Sequence, residues 1–131
     1  MKNPAEDPYN RAVREYFVNP VHAGPLQRSY SFEARAQVDD GGGTLLVLLA
    51  GVEGRNIAEI RFQAIACPHL LAAAEHFCRQ YSGMPVGSLN EFQPEALIEE
   101  LAVPTGKTGR ILLLEDAVRS LWQEINGETG N

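Results

Sequence analysis

The stretch Ala58-Glu59-Ile60-Arg61-Phe62-Gln63-Ala64-Ile65-Ala66-Cys67-Pro68-His69-Leu70-Leu71-Ala72-Ala73-Ala74-Glu75-His76-Phe77-Cys78 changes its periodicity midway. As far as Ala64, apolar Ala58, Ile60, Phe62 and Ala64 alternate with Glu59, Arg61 and Gln63. A period of two describes a strand with one buried and one wet face. After Pro68, apolar Leu70, Leu71, Ala74, Phe77, Cys78 and Tyr81 recur at helical spacing, and Ser82-Gly83 closes the segment. A strand thus runs into a helix, with Cys67 and Pro68 at the junction.

Working outward, two more strands precede this one. Tyr30, Phe32, Ala34, Ala36 and Val38 alternate with Ser29, Ser31, Glu33, Arg35 and Gln37. Asp39-Asp40-Gly41-Gly42-Gly43 reads as a turn, Leu45 to Ala50 as a second strand, and Gly51 to Asn56 as a second turn. Three strands joined by short turns predict an antiparallel meander. Ahead of them, Asp7 and Pro8 suit the cap and first position of a helix carrying Tyr9, Val13, Tyr16 and Phe17 on one stripe, ended by Asn19-Pro20. Beyond Tyr81, Pro94 to Leu101 reads as a short helix, Val103 to Gly109 as a loop, and Arg110 to Ile125 as a last helix with Leu114, Ala117, Val118, Leu121 and Trp122 inward. The predicted fold is therefore α+β and two-layered: a three-stranded antiparallel meander packed against one N-terminal and three C-terminal helices. One domain is expected over residues 1–131, with an ordered core over 8–124.

Composition narrows the function. With 131 residues, 44% of them hydrophobic, the chain can bury a core, and its net charge is −6. The only lysines are Lys2 and Lys107, so the clustered cations that nucleic-acid binding needs are missing. The longest apolar run, Leu45 to Val52, is too short to span a bilayer. The polar start, with Pro4 and Pro8, does not read as a signal peptide. A cytoplasmic setting, no membrane, no nucleic acid and two reduced thiols are expected.

Particular residues resemble the NifU N-terminal domain and IscU-type scaffold family over residues 8–124. Tyr16-Phe17-Val18-Asn19-Pro20 with Gly24 is similar to the family's Tyr-x-x-Asn-Pro…Gly opening. Phe62 to Cys67 is similar to its third strand running into a central cysteine. Gly87-Ser88-Leu89-Asn90-Glu91 resembles a Lys-Ser-Leu-Asp-Glu turn, and Leu114-Glu115-Asp116-Ala117-Val118 the start of its last helix. The resemblance implies a scaffold, not an enzyme, that builds a [2Fe–2S] cluster with a cysteine desulfurase and other cluster-assembly proteins. It implies three cysteine ligands, with an aspartate and a histidine nearby. Matched along the chain, the first cysteine falls at Arg28, the aspartate at Tyr30, the central cysteine at Cys67, and the histidine and third cysteine at Gly109 and Arg110. A partner-docking Leu-Pro-Pro-Val-Lys loop falls at Val103 to Lys107, where Pro104 and Lys107 remain.

Ligand chemistry opposes that implication. Such a cluster takes four ligands, mostly thiolates. Cys78 is eleven residues beyond Cys67, about 16 Å along a helix, whereas thiolates on one centre lie within about 4 Å. His69 and His76, roughly 10 Å apart on the same helix, cannot chelate one ion together. A guanidinium cannot ligate a metal, so Arg28 and Arg110 would favour an anion beside Cys67. The expected site is Cys67 as a metal ligand with His69 and His22 as weak candidates, ringed by Arg28, Tyr30 and Arg110. Iron or a [2Fe–2S] cluster would bind weakly or not at all, with missing ligands from a second copy or a partner.

The alternative is a binding or regulatory module in which Cys67, at a helix N-terminus among cations, is a reactive thiolate for an anion or a sulfurated thiol. Cys78 reads as core, His69 and His76 as solvated, and Glu115-Asp116 as complements to a helix dipole. Gly41-Gly42-Gly43 lacks the features of a phosphate loop. No nucleophile–base–acid set can be assembled.

Overall fold

The computed structural model describes residues 11–129. In chain order it contains α1 (Arg11–Val18), β1 (Phe32–Asp39), β2 (Leu45–Glu53), β3 (Asn56–Ile65), α2 (Pro68–Tyr81), α3 (Pro94–Glu100) and α4 (Thr108–Thr129). Short 3-10 turns cover Val86–Glu91 and Thr105–Lys107. The fold is α+β, with a sheet of order β1-β2-β3, antiparallel throughout. The cap and stripe residues Asp7, Pro8 and Tyr9 lie outside the described residues.

Alternation selects the buried face of the sheet. Ala34 and Ala36 of β1, Leu46, Leu48, Ala50 and Val52 of β2, and Ile60 and Phe62 of β3 all face the core. Against them pack α2, through Leu70, Ala73, Ala74 and Phe77, and α4, through Ile111, Leu114, Ala117, Val118, Leu121 and Ile125. Helix α1 lies on α2 and sinks Val13 fully.

Two features depart from simple alternation. The β2–β3 register shifts at Gly51/Val52, where Gly51 faces Glu59 but Val52 faces Ile57. Ala58 is thus an extra residue, left exposed, and the phase reverses so that Ile57 is buried. The expectation of an inward Ala58 is corrected by this bulge. The second departure is α4, which starts at Thr108, two residues before the expected Arg110. Glu115 and Asp116 therefore lie beyond its first turn and pair with Arg119 at 3.7 and 3.5 Å rather than serving the helix dipole.

Helix α3 ends in a left-handed residue that is not glycine. Ala102 has φ 50°, and the Val103 N–H reaches back to the Ile98 carbonyl at 3.0 Å. A Cβ in this region costs about 1 kcal/mol. The substitution Ala102→Gly should therefore raise stability by up to about 0.6 kcal/mol net of the added freedom of the unfolded chain. Denaturant unfolding would show this as a higher midpoint at unchanged slope.

Candidate functional site

Cys67 occupies the junction because the strand ends there and proline starts the helix. It is the N-cap of α2 in extended conformation (φ −70°, ψ 161°), with Pro68 at the first helical position. The Cys67 carbonyl accepts the Leu71 N–H at 3.0 Å, while its side chain makes no capping bond. The half-buried thiol therefore stands at a helix N-terminus without being spent on closing it.

Register decides what shares that end of the sheet. Leu45, which opens β2, pairs with Ile65, two residues before Cys67. Phe32, which opens β1, pairs with Val52 near the opposite end. Arg28 lies at that opposite end. Its guanidinium stands 3.4 Å from Glu53 and stacks 4.0 Å from the centre of the Tyr30 ring. The eight residue steps from Leu45 to Glu53 put it about 26 Å from the Cys67 end. Arg28 and Tyr30 thus do not ring Cys67. The matching went to the wrong strand start: a residue that precedes a strand and also lies beside Cys67 must precede β2, in the turn from Asp39 to Thr44.

That turn is built by glycines and one carboxylate. Gly41 and Gly43 have φ of 75° and 105°, which glycine adopts without strain. Asp40 accepts the N–H groups of Gly42 at 2.7 Å and Thr44 at 3.1 Å. These two bonds, Gly42 first, hold the Asp40 carboxyl below its ordinary value, with the Thr44 hydroxyl and the Arg110 guanidinium adding to the effect. Arg110 itself donates to the Thr44 hydroxyl at 3.1 Å, tying the first turn of α4 to the β1–β2 turn. Arg110 therefore lies at the Cys67 end.

His69 is there as well, but it is buried, with 4% of its surface exposed, rather than solvated. Burial, and secondly the charge of Lys107, pushes its pKa down, which favours the neutral imidazole. Lys107 and Pro104 are exposed beside a 3-10 turn that the Lys107 N–H closes on the Pro104 carbonyl at 2.8 Å.

His22 is elsewhere. Its backbone N–H and its ring Nδ1 contact the two oxygens of Glu75 at 2.8 and 2.7 Å. Glu75 lies eight residues beyond Cys67, about 12 Å along α2. Cys78 is fully buried, and burial, then the Glu75 charge, raises its thiol pKa well above the ordinary value. His76 is largely covered and bonded to Glu100 rather than solvated. Among the described residues no three His, Cys, Asp or Glu side chains are grouped to hold a metal ion.

Sequence reasoning missed two buried acids, each at a position where the period predicted solvent. Glu75, with no exposed surface, also takes the Arg79 Nε at 2.7 Å. Glu59 accepts the Gln27 N–H at 3.0 and 3.1 Å and the Tyr30 hydroxyl at 2.5 Å, with Arg61 at 3.4 Å. The bond to Glu59, then burial, raises the Tyr30 pKa. Tyr30 lies flat on Gly51, where an added Cβ would come within 2.1 Å of the ring. Acids amid apolar residues, with arginines two or four positions on, were the available signal.

The described helices include none long and apolar enough to cross a membrane. A family model described as the NifU-like N terminal domain matches residues 8–127. By sequence, the chain matches no curated protein. Among solved structures it is similar to the N-terminal part of a NifU-like protein from Brucella abortus, at TM-score 0.69 and 18% identity over 92% of this chain and 95% of that one. It is also similar to a putative iron–sulfur cluster assembly scaffold protein for the SUF system from Fervidobacterium islandicum AW-1, at TM-score 0.67 and 14% identity over 88% and 96%. At these identities the likeness is one of fold.

Two measurements check this geometry. Gly51→Ala should cost about 1–3 kcal/mol by displacing the Tyr30 ring, and much less in a chain already carrying Tyr30→Ala, a coupling that a double-mutant cycle reads directly. Asp40 has a lowered folded pKa, so its contribution is present above the unfolded value of about 3.9 and is lost as pH falls through the folded one. Asp40→Asn should therefore flatten the acid limb of the stability–pH curve below about pH 4.

Proposed function

Because the chain belongs to the family of NifU-like N-terminal domains, we propose that it is a degenerate scaffold-like protein of iron–sulfur cluster assembly, holding iron or a [2Fe–2S] cluster weakly at most, through Cys67. The single supporting observation is the make-up of the Cys67 end. It has one accessible thiol, one turn carboxylate whose Oδ1 accepts two backbone N–H groups, and a guanidinium that cannot ligate. Cys67 alone falls three short of the usual four ligands. His69, whose burial favours the neutral imidazole, is a second ligand this end could offer; His22, bound to Glu75, is not. The remaining ligands would come from a second copy of the chain or from a partner, in a cytoplasmic setting. Pro104 and Lys107, exposed at the same end, suit docking of a cysteine desulfurase or another assembly protein. The role is one of carrying, not catalysis.

One observation favours a second reading. Two cations, Arg110 and Lys107, stand at this end. They suit a non-cluster binding or regulatory module in which the Cys67 thiolate takes an anion or a sulfurated thiol.

Anaerobic incubation with ferrous iron, sulfide, cysteine and a cysteine desulfurase, followed by visible absorption, separates the two. The scaffold reading expects a weak cluster band that Cys67→Ala abolishes. Colourless, iron-free protein refutes it. If that colourless protein gains the mass of one sulfur atom at Cys67, the second reading stands.

A further inference from the structure

A groove of about 560 Å³ opens between α2 and α3, on the side of α2 that faces α1. Its volume is in the range of small-molecule sites. It plays no part in the Cys67 end, since its α2 residues begin nine positions beyond Cys67.

The two walls carry opposite charge. On the α2 wall, Arg79 is held in place by its Nε bond to buried Glu75 and by stacking 4.7 Å from the centre of the Tyr16 ring. Its two terminal nitrogens take no protein partner among the described residues, so a pre-oriented guanidinium fork is left for a carboxylate. Beside it, the His76 ring meets Tyr16 edge-on at 5.7 Å. On the opposite wall stand two carboxylates, Glu91 at the end of the 3-10 turn that precedes α3 and Glu100 at the end of α3. Glu100 bonds the His76 imidazole across the groove, while Glu91 forms no hydrogen bond or ion pair among the described residues. Between the walls, Tyr81, Phe92 and Leu97 form an apolar floor. Phe92 is fixed edge-on against Phe77 at 5.3 Å and Tyr81 at 6.1 Å.

We propose that this groove binds a small zwitterion with an apolar body, an α-amino acid or short peptide, its carboxylate on Arg79, its ammonium on the Glu91 and Glu100 side, and its side chain on Phe92 and Leu97. A simple anion would meet two carboxylates, and a simple cation would meet Arg79. Only a ligand carrying both charges is matched on both walls. The groove is preformed, because its cation is locked by Glu75 and its aromatic floor by ring contacts. Binding therefore requires little ordering.

The test is a titration of the isotope-labelled full chain with L-leucine and L-phenylalanine, read by backbone amide NMR shifts. Saturable shifts confined to the groove residues of α2, α3 and the segment 91–93 that leads into α3 are expected. Two leucine analogues test the charges separately: 4-methylpentanoate lacks the ammonium, and isopentylamine lacks the carboxylate. Each should bind at least about tenfold more weakly. Glu91→Gln, at an exposed position outside the core, should weaken L-leucine severalfold while leaving 4-methylpentanoate no weaker, since it removes one carboxylate that repels an anion. Absence of saturable shifts at millimolar ligand, equal binding of the analogues, or shifts located outside the groove would each overturn the proposal. Arg79→Gln is a weaker probe because it also strips a partner from Glu75, and for that reason the ligand analogues carry the test.

Discussion

Antiparallel pairing of β2 with β3 is the constraint on which the arrangement of this protein depends. Once Leu45 faces Ile65, the start of β2, the end of β3 and the N-cap of α2 must lie together. Arg110 then closes that end by bonding Thr44. The start of β1 must lie at the other end, about 26 Å off. No choice of side chains at Arg28 or Tyr30 could bring them to Cys67 without breaking eight residues of ladder. The chemistry available to the thiol is therefore set by topology before any side chain is considered.

Two buried carboxylates do for the segment between α1 and β1 what a regular element would otherwise do. Residues 19–31 contain no helix or strand, only a single bridge from Ala23 to Phe62. Glu75 holds them from the helix side through His22, and Glu59 from the sheet side through Gln27 and Tyr30. Burying a carboxylate is costly unless its oxygens are well satisfied. Here the backbone N–H of His22 or Gln27, a ring group and an arginine meet each acid. Removing any one donor would leave part of that desolvation cost uncompensated, and so the segment and the acids depend on each other.

This explains how far the sequence could be read. Periodicity located β1, β3 and all three later helices, because each buries one face of a two-layer core, and burial is what periodicity records; β2, buried on both faces as the central strand, was legible instead as an apolar run between two turns. The α2 boundaries follow from Pro68 and Ser82-Gly83, both local signals. What periodicity could not supply was register across the sheet, and the site depends on register. Placing ligands by order along the chain treated the residues ahead of β1 as neighbours of Cys67, whereas geometry assigns that place to the β1–β2 turn. The buried acids escaped notice for a related reason. Glu59 sits on the wet face of β3, and it is covered by Gln27 and by Tyr30, which folds over Gly51, from a distance that no local pattern reports. The α4 start escaped because Thr108-Gly109 carries no apolar residue to extend the stripe.

The Cys67 end and the α2–α3 groove share one rigid element. Cys67 caps α2, Glu75 lies two turns along it, and Arg79 one turn further. Arg79 presents different nitrogens to its two tasks, Nε to Glu75 and the terminal pair to the groove. A carboxylate arriving at the terminal pair leaves the Glu75 contact intact, and Glu75 keeps His22 in place. Coupling between sites requires an element with two arrangements that both ligands bias. A helix packed by Leu70, Ala73, Ala74 and Phe77 against the sheet, and pinned at its midpoint by a fully buried carboxylate, offers one arrangement. If cargo binds at the thiol and a zwitterion in the groove, as proposed, each would bind with an affinity that the other does not change.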